Sequence, residues 1–196
     1  MGKSGFHRFK LSKHVLEALD AKGWTKPTEI QRDTLQAALY GRDLVGQAQT
    51  GSGKTAAFGI PIIEATSATY QTQSLILCPT RELAVQVASE MEWLQGDKGL
   101  TIETVYGGTD LERQAKKLNA GVDIIVGTPG RVIDMTKRGH LELSKIEIFC
   151  LDEADRMLDM GFFPDVTWII SQAPSRKQTL PVSYTHLRAH ETVDYL

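Results

Sequence analysis

The sequence predicts an α/β fold in which a parallel β-sheet is covered by helices on both faces. Strand-like and helix-like segments alternate along the chain, which is typical of successive βαβ units. The apolar strand candidates are short and continuous, as expected for strands that are buried on both faces. The candidate segments are, in chain order, RDLVGQ, GKTAAFGIPIIEA, SLILC, RELAVQVASEMEWL, TIETVY, LERQAKKL, VDIIVG and IEIFCLD.

Two further helices are expected before the first strand. Ser12 is placed to cap a helix with Val15, Leu16 and Leu19 on one face, and Gly23 is placed to close it. A second helix is expected to begin at Thr28.

Composition describes one ordinary globular domain. The chain has 196 residues, of which 41% are hydrophobic and 23% are charged. It lacks both an apolar run of roughly 20 residues and a secretory signal, so we expect a cytoplasmic protein without a membrane partner. Cys78 and Cys150 each close an apolar run, which favours buried thiols over a disulfide or metal pair. The net charge of -2 requires any nucleic-acid contact to use local donors.

A phosphate-binding loop is predicted between the first strand and the following helix. The segment AQTGSGKT has the phosphate-loop spacing, with Ala where the strict pattern has Gly. Lys54 would reach the β- and γ-phosphates of a nucleotide, and Thr55 would offer a hydroxyl to Mg²⁺. The alternative is a glycine-rich turn with a solvated lysine, which the flanking strand and helix disfavour. The predicted nucleotide-binding residues of this loop are Ala48, Gln49, Thr50, Gly51, Ser52, Gly53, Lys54 and Thr55.

A second cluster of candidate residues, DEAD, follows the strand IEIFCLD. Asp152 and Glu153 stand just past the carboxyl end of this strand, where ligands bind in open α/β sheets. Asp152 would hold a metal ion, usually through water, and Glu153 would orient or deprotonate an attacking water. Helix capping by Glu153 or Asp155 is the alternative. Together with the phosphate loop, the pair favours nucleotide hydrolysis over a kinase or a passive binder.

The order of the motifs AQTGSGKT, PTRELA, GG, TPGR and DEAD resembles the DEAD-box RNA helicases. The resemblance runs from about Phe6 to Leu180 and implies that residues 1–180 form the family's first RecA-like domain, with ATP and Mg²⁺ as cofactors and RNA as partner. It implies that Lys54, Asp152 and Glu153 are catalytic and that Asp155 couples hydrolysis to strand separation. A second RecA-like domain, which supplies the arginine finger in the family, is not expected in this sequence.

The segment GWTKPTEIQ resembles the family's Q motif, which here would extend over residues 6–31, with Trp24 where Phe is more usual. The resemblance implies that Gln31 reads adenine through its amide and that Phe6 packs near the base. Thr28 and Gln31 also have the spacing of a capping box, so capping the start of a helix is an alternative role for Gln31.

Three segments are implied to grip the sugar-phosphate backbone of RNA without reading its sequence. Two of them end a strand with Pro and open a helix, which offers backbone amides and arginine donors to phosphate, and the glycine pair permits close approach. The alternatives are that the threonines merely start helices and that either arginine pairs with a carboxylate such as Glu82. The implied RNA-binding residues are Pro79, Thr80, Arg81, Gly107, Gly108, Thr128, Pro129, Gly130 and Arg131.

The last residues depart from the family. A Ser-Ala-Thr coupling motif would be expected after PSRKQTL, but the chain reads PVSYTHLRAHETVDYL. His186 and His190 have an i, i+4 spacing suited to a metal, yet no further ligands accompany them, and a frayed terminus is favoured over a metal site. Translated in one reading frame, nucleotides that resemble a transposase-type sequencing adapter would give VSYTHLRAHE. We therefore interpret residues 181–196 as translated adapter.

Taken together, the sequence predicts a fragment of an ATP-dependent RNA helicase that binds and hydrolyses ATP and locally unwinds RNA. As a fragment it is expected to bind nucleotide weakly and to hydrolyse little, and to be monomeric. Two alternatives stay open: an ATP-dependent RNA clamp that does not unwind, and another nucleic-acid-stimulated phosphate-loop ATPase, such as a DNA-directed helicase.

Overall fold

The structure is a computed structural model, and it describes residues 5–47 and 51–183. Six parallel strands form one sheet in the order β1-β6-β5-β2-β4-β3. The strands are β1 (Gly46–Gln47), β2 (Ser74–Leu77), β3 (Ile102–Val105), β4 (Ile124–Gly127), β5 (Ile148–Asp152) and β6 (Gln178–Ser183). The predicted parallel sheet is therefore confirmed.

Helices connect the strands. A 3-10 helix covers Gly5–Phe9, and the α-helices are α1 (Lys13–Ala21), α2 (Glu29–Leu39), α3 (Lys54–Ala65), α4 (Arg81–Leu94), α5 (Leu111–Asn119), α6 (Pro129–Lys137), α7 (Ala154–Asp159) and α8 (Phe163–Ser171). Two apolar clusters, one on each face of the sheet, form the core. Within the described ranges, none of the helices combines the length and the hydrophobicity that crossing a membrane requires.

The first N-terminal helix begins and ends, and the second begins, where the sequence predicts. The Ser12 hydroxyl accepts a hydrogen bond from the backbone N–H of Val15 at 3.5 Å, and Gly23 follows α1 with a φ of 72°. Thr28 caps α2. The prediction that Cys78 and Cys150 are buried free thiols is confirmed, and burial raises the pKa of both thiols.

The strand β6 crosses the boundary predicted at residue 180. Leu180, Pro181 and Val182 pair with residues of β5, and Val182 also pairs with Gly46 of β1. The proposal that translated adapter begins at Pro181 therefore divides a strand, and it stays a prediction. Residues 184–196, with the two histidines, lie outside the described residues.

Parallel strands bring the predicted site segments to one edge of the sheet, because their carboxyl ends all lie there. The phosphate loop follows β1, PTRELA follows β2, the glycine pair follows β3, TPGR follows β4 and DEAD ends β5. The sheet order thus places the phosphate loop near DEAD and places the other three segments side by side.

Candidate functional site

The phosphate loop turns through two glycines into the start of α3. Gly51 and Gly53 have φ angles of 80° and 85°, a region that favours glycine. A Cβ on Gly53 would lie 2.5 Å from the side-chain nitrogen of Gln31, so the close approach also requires glycine. Lys54 and Thr55 open α3, whose amino end favours negative charge. The predicted residues Ala48, Gln49 and Thr50 lie outside the described residues.

Lys54 and Asp152 are both buried beneath this loop, with Asp152 only 3% exposed. Burial raises the pKa of the Asp152 carboxyl to about 6, and the negative charge of Glu153 adds to the rise. The positive charge of Lys54 opposes the rise and only partly offsets it. A second positive charge at this carboxylate would therefore be favourable.

Two buried polar atoms at the loop have no hydrogen-bond partner among the described residues. They are the Oγ of Ser52 and the Oδ1 of Asp152. Burying such atoms unpaired is costly unless a ligand or ion completes them. A hydroxyl beside a glycine loop suits a phosphate oxygen, and a carboxylate oxygen suits a hydrated divalent cation. The donor set therefore fits a nucleotide polyphosphate with Mg²⁺.

Glu153 occupies an unusual backbone conformation between β5 and α7. Its φ of 53° is rare for a residue with a side chain and is the kind of strain found at functional sites. Its carboxylate accepts a hydrogen bond from Arg156 at 3.1 Å and is largely covered. Asp155 lies in the first turn of α7.

A cavity of about 680 Å³ joins these residues into one site. Most of the predicted catalytic and nucleotide-binding residues that the structure describes line it, namely Gln31, Gly51, Gly53, Lys54, Thr55, Asp152 and Glu153. The RNA-segment residue Thr80 also lines it. The volume lies in the range of small-molecule sites.

Several residues that line the cavity were not predicted from the sequence. Glu82, Gln86 and Glu90 reach the cavity from α4, and Trp24 and Arg156 reach it from other elements. The signal for the first three was present, because positions four apart lie on one face of a helix. Trp24 also packs edge-on against Trp93, with ring centroids 5.1 Å apart.

Of the two roles considered for Gln31, the capping role is present in the structure. Gln31 is fully buried, and its side-chain oxygen accepts a hydrogen bond from the backbone N–H of Thr28 at 2.9 Å. Its side-chain nitrogen donates to the carbonyl of Gly53 at 3.1 Å, which ties α2 to the phosphate loop. Phe6 is buried in the core and is not one of the residues lining the cavity. Adenine recognition by Gln31 and a contact of Phe6 with the base both stay predictions.

The three predicted RNA segments lie next to one another. Arg81 extends from the start of α4 over the ring of Tyr106, with 5.8 Å between the guanidinium carbon and the ring centroid. Tyr106 directly precedes the exposed Gly107 and Gly108, and Gly108 has a φ of 79°. Thr128, Pro129 and Gly130 open α6, which places Arg131 in its first turn.

The alternative roles considered for these segments, helix capping and ion pairing within the protein, are also seen at Thr80 and Arg81. Thr80 accepts a hydrogen bond from Leu83 at 3.3 Å and so caps α4, and Pro79 is buried. Arg81 pairs with Glu82 at 3.5 Å, but both side chains are exposed, and such pairs contribute little. The pairing therefore leaves Arg81 available to a stronger anion.

Comparisons with known proteins agree with this geometry. A family model described as DEAD/DEAH box helicase matches residues 28–192. The DEAD-box ATP-dependent RNA helicase CshA of Streptococcus pneumoniae is 46% identical over 181 residues, which are 92% of this chain and 34% of that protein. The ATP-dependent RNA helicase CshA of Listeria monocytogenes is 44% identical over 181 residues, which are 92% of this chain and 35% of that protein.

The chain therefore spans about a third of the length of the curated relatives it matches. Among solved structures, a DEAD box protein from the hyperthermophile Methanococcus jannaschii has a TM-score of 0.89 at 44% identity, covering 95% of this chain and 51% of that one. The RecA-like fold class predicted from the motifs is confirmed. With its family model matched over most of its length, the chain belongs to the DEAD/DEAH box helicase family.

Proposed function

We propose that this chain is the ATP-binding and RNA-contacting domain of an ATP-dependent RNA helicase. The observation that carries the proposal is the buried pair of Lys54 and Asp152 beneath the phosphate loop, where the Asp152 Oδ1 and the neighbouring Ser52 Oγ need a ligand. The printed names of the relatives, which are ATP-dependent RNA helicases, support the same function.

In this proposal each residue of the cavity has a separate task. Lys54 would bind the β- and γ-phosphates of ATP, and the Thr55 hydroxyl and the Asp152 carboxylate would hold Mg²⁺, the latter through water. Mg²⁺ would neutralise the charge that develops on the phosphate oxygens. Glu153 orients the attacking water and accepts its proton, while Arg156 fixes the direction of the Glu153 carboxylate.

RNA is proposed to lie across the neighbouring segments at the carboxyl ends of β2, β3 and β4. Arg81 and Arg131 would bind phosphate oxygens, and helix starts at Thr80 and Thr128 would offer backbone N–H groups. Such contacts read no bases, which agrees with sequence-independent binding. Asp155 is proposed to couple the two sites, and unwinding is proposed to require the family's second RecA-like domain. The predicted cytoplasmic location and monomeric state stay predictions.

Two substitutions in the 196-residue chain test the ATP site and the RNA site separately. Lys54→Ala is expected to weaken binding of Mg²⁺·ATP at least about tenfold, because a charge-assisted contact to phosphate is lost. Arg131→Ala is expected to weaken binding of single-stranded RNA similarly while leaving ATP affinity unchanged. Isothermal titration for ATP and fluorescence anisotropy for labelled RNA measure the two affinities. Unchanged RNA affinity in Arg131→Ala would remove TPGR from the RNA site, and unchanged ATP affinity in Lys54→Ala would remove the nucleotide site.

A second prediction concerns the choice of base by Gln31. Gln31→Ala is expected to reduce the preference for ATP over GTP about tenfold, because a bidentate amide contact to adenine is lost. Competition between the two nucleotides for the chain measures this ratio. Gln31→Glu serves as the matched variant, since its carboxylate still accepts from Thr28 but no longer donates to Gly53. An ATP-to-GTP ratio equal in parent and Gln31→Ala would leave only the capping role.

A further inference from the structure

Gln114, a buried residue of α5, joins two of the segments assigned to RNA. It is 7% exposed. Its side-chain nitrogen donates to the backbone carbonyl of Tyr106 at 3.1 Å and to the hydroxyl of Thr109 at 2.7 Å. Its side-chain oxygen accepts a hydrogen bond from the guanidinium of Arg131 at 3.0 Å. The single amide thus fixes both ends of the glycine loop and the arginine of TPGR.

Arg131 has a second anchor on the same loop. Both of its terminal nitrogens donate to the carbonyl of Thr109, at 3.4 and 3.3 Å. A guanidinium is a planar fork of five N–H donors, so contacts on one side determine the direction of the remaining donors. Gln114 and Thr109 together therefore hold Arg131 in one orientation before any ligand arrives.

The same network reaches the third segment through Tyr106. The carbonyl of Tyr106 is held by Gln114, and its ring lies beneath the guanidinium of Arg81. A contact path therefore runs from Arg81 through Tyr106 and Gln114 to Arg131. Successive phosphates along a strand have a set spacing, so cations fixed relative to each other bind them at a lower entropic cost.

We propose that Gln114 is a positioning residue for RNA binding, which holds Arg131 and the loop of Gly107 and Gly108 in the arrangement that accepts the sugar-phosphate backbone. The inference rests on the proposed function and adds a residue that itself touches no RNA. Only an amide can fill this position, because it must donate to the Tyr106 carbonyl and accept from Arg131 at once. A carboxylate cannot donate, and an apolar side chain can do neither.

The test is a double-mutant cycle on RNA affinity in the 196-residue chain, read by fluorescence anisotropy with labelled single-stranded RNA. Gln114→Leu is expected to weaken binding about tenfold, as is Arg131→Ala. The double variant is expected to bind no more than about threefold more weakly than either single variant, since both remove the same oriented donor. Gln114→Glu, which conserves volume, is expected to weaken RNA binding as well, because its charge pairs with Arg131.

Gln95→Leu is the matched control. Gln95 is an equally buried amide that donates to the carbonyl of Leu100 and accepts from the Leu100 N–H. It follows the far end of α4, whose 14 residues place it about 20 Å from Arg81. Its loss should lower stability without changing RNA affinity, which separates positioning from general destabilisation.

The RNA affinities of these variants decide whether Gln114 positions Arg131. Parent affinity in both Gln114 variants, alongside a loss in Arg131→Ala, would overturn the positioning role and leave the proposed function intact. Independent, multiplying losses in the double variant would also overturn it. Absence of RNA binding by the parent chain itself would overturn the proposed RNA contact, and the role of Gln114 with it. A loss of RNA affinity that is shared by Gln114→Leu and Arg131→Ala, does not multiply in the double variant, and is absent from Gln95→Leu would establish the positioning role.

Discussion

Replacing Asp152 by Asn is expected to stabilise the ligand-free chain at pH 7.5 by about 2–3 kcal/mol, although it removes a predicted Mg²⁺ ligand. The reason is that the folded chain buries this carboxylate, and burial raises its pKa from the ordinary value of 3.8 to about 6. Asn has nearly the same shape and carries no charge to desolvate. The attraction to Lys54 is already included in this pKa, so its loss does not reverse the sign.

The dependence on pH follows from the direction of the shift. Between pH 3.8 and about 6 the folded chain retains a proton that the unfolded chain has released. The unfolding free energy contributed by Asp152 therefore falls as the pH rises through this window, and the full cost is present above it. The advantage of Asp152→Asn should thus be complete above about pH 6 and should shrink towards zero as the pH approaches 4.

Urea unfolding of both proteins between pH 4.5 and 7.5 measures this difference in unfolding free energy. In thermal unfolding, Tm should rise by about 2–4 °C for each kcal/mol of added stability. Asp159→Asn is the control, because it neutralises an exposed carboxylate at the end of α7, the helix that follows Asp152. A stability difference between Asp152→Asn and parent that stays constant with pH would contradict the assigned cause. The same variant is expected to bind Mg²⁺·ATP more weakly than the parent, so that its higher unfolding free energy comes with a lower ligand affinity.

The elements that could be predicted from the sequence are those with a strong local signal. The bounds of α4 agree with RELAVQVASEMEWL because Thr80 caps its first turn and its apolar residues repeat at helical spacing. The first strand is shorter than RDLVGQ, since only Gly46 and Gln47 pair with β6. Before them, the Asp43 side chain accepts a hydrogen bond from the backbone N–H of Thr179, and the Thr179 carbonyl accepts one from the N–H of Leu44.

The parts of the site that could not be predicted depend on contacts between distant segments. The motifs identified Lys54 and Asp152, but their burial and the unpaired Oδ1 of Asp152 arise only when the phosphate loop after β1 and the end of β5 meet at one edge of the sheet. Gln114 lies in a segment of ordinary helical composition, and its partners are five to seventeen residues away on other elements. No local pattern distinguishes such an amide from any other polar residue on a helix.

Asp123 is a second residue of this kind, and its replacement by Ala is expected to cost about 3–5 kcal/mol of stability. In the sequence it is one polar residue at the start of the strand VDIIVG. In the structure it is fully buried, and its carboxylate accepts hydrogen bonds from three backbone N–H groups: Thr69 at 2.9 Å, Tyr70 at 2.7 Å and Thr101 at 2.9 Å. It thus joins β3 and β4 to the loop that leads into β2.

Alanine would leave those three donors without their acceptor, and each unsatisfied buried donor costs about 1–3 kcal/mol, less where water can reach it. Asp123→Asn keeps one acceptor oxygen but turns an N–H₂ group towards donors, so an intermediate loss of about 1–3 kcal/mol is expected. Urea unfolding of the three proteins measures the series. A loss below about 1 kcal/mol in Asp123→Ala would mean that water replaces the carboxylate, and that this end of the sheet does not depend on it.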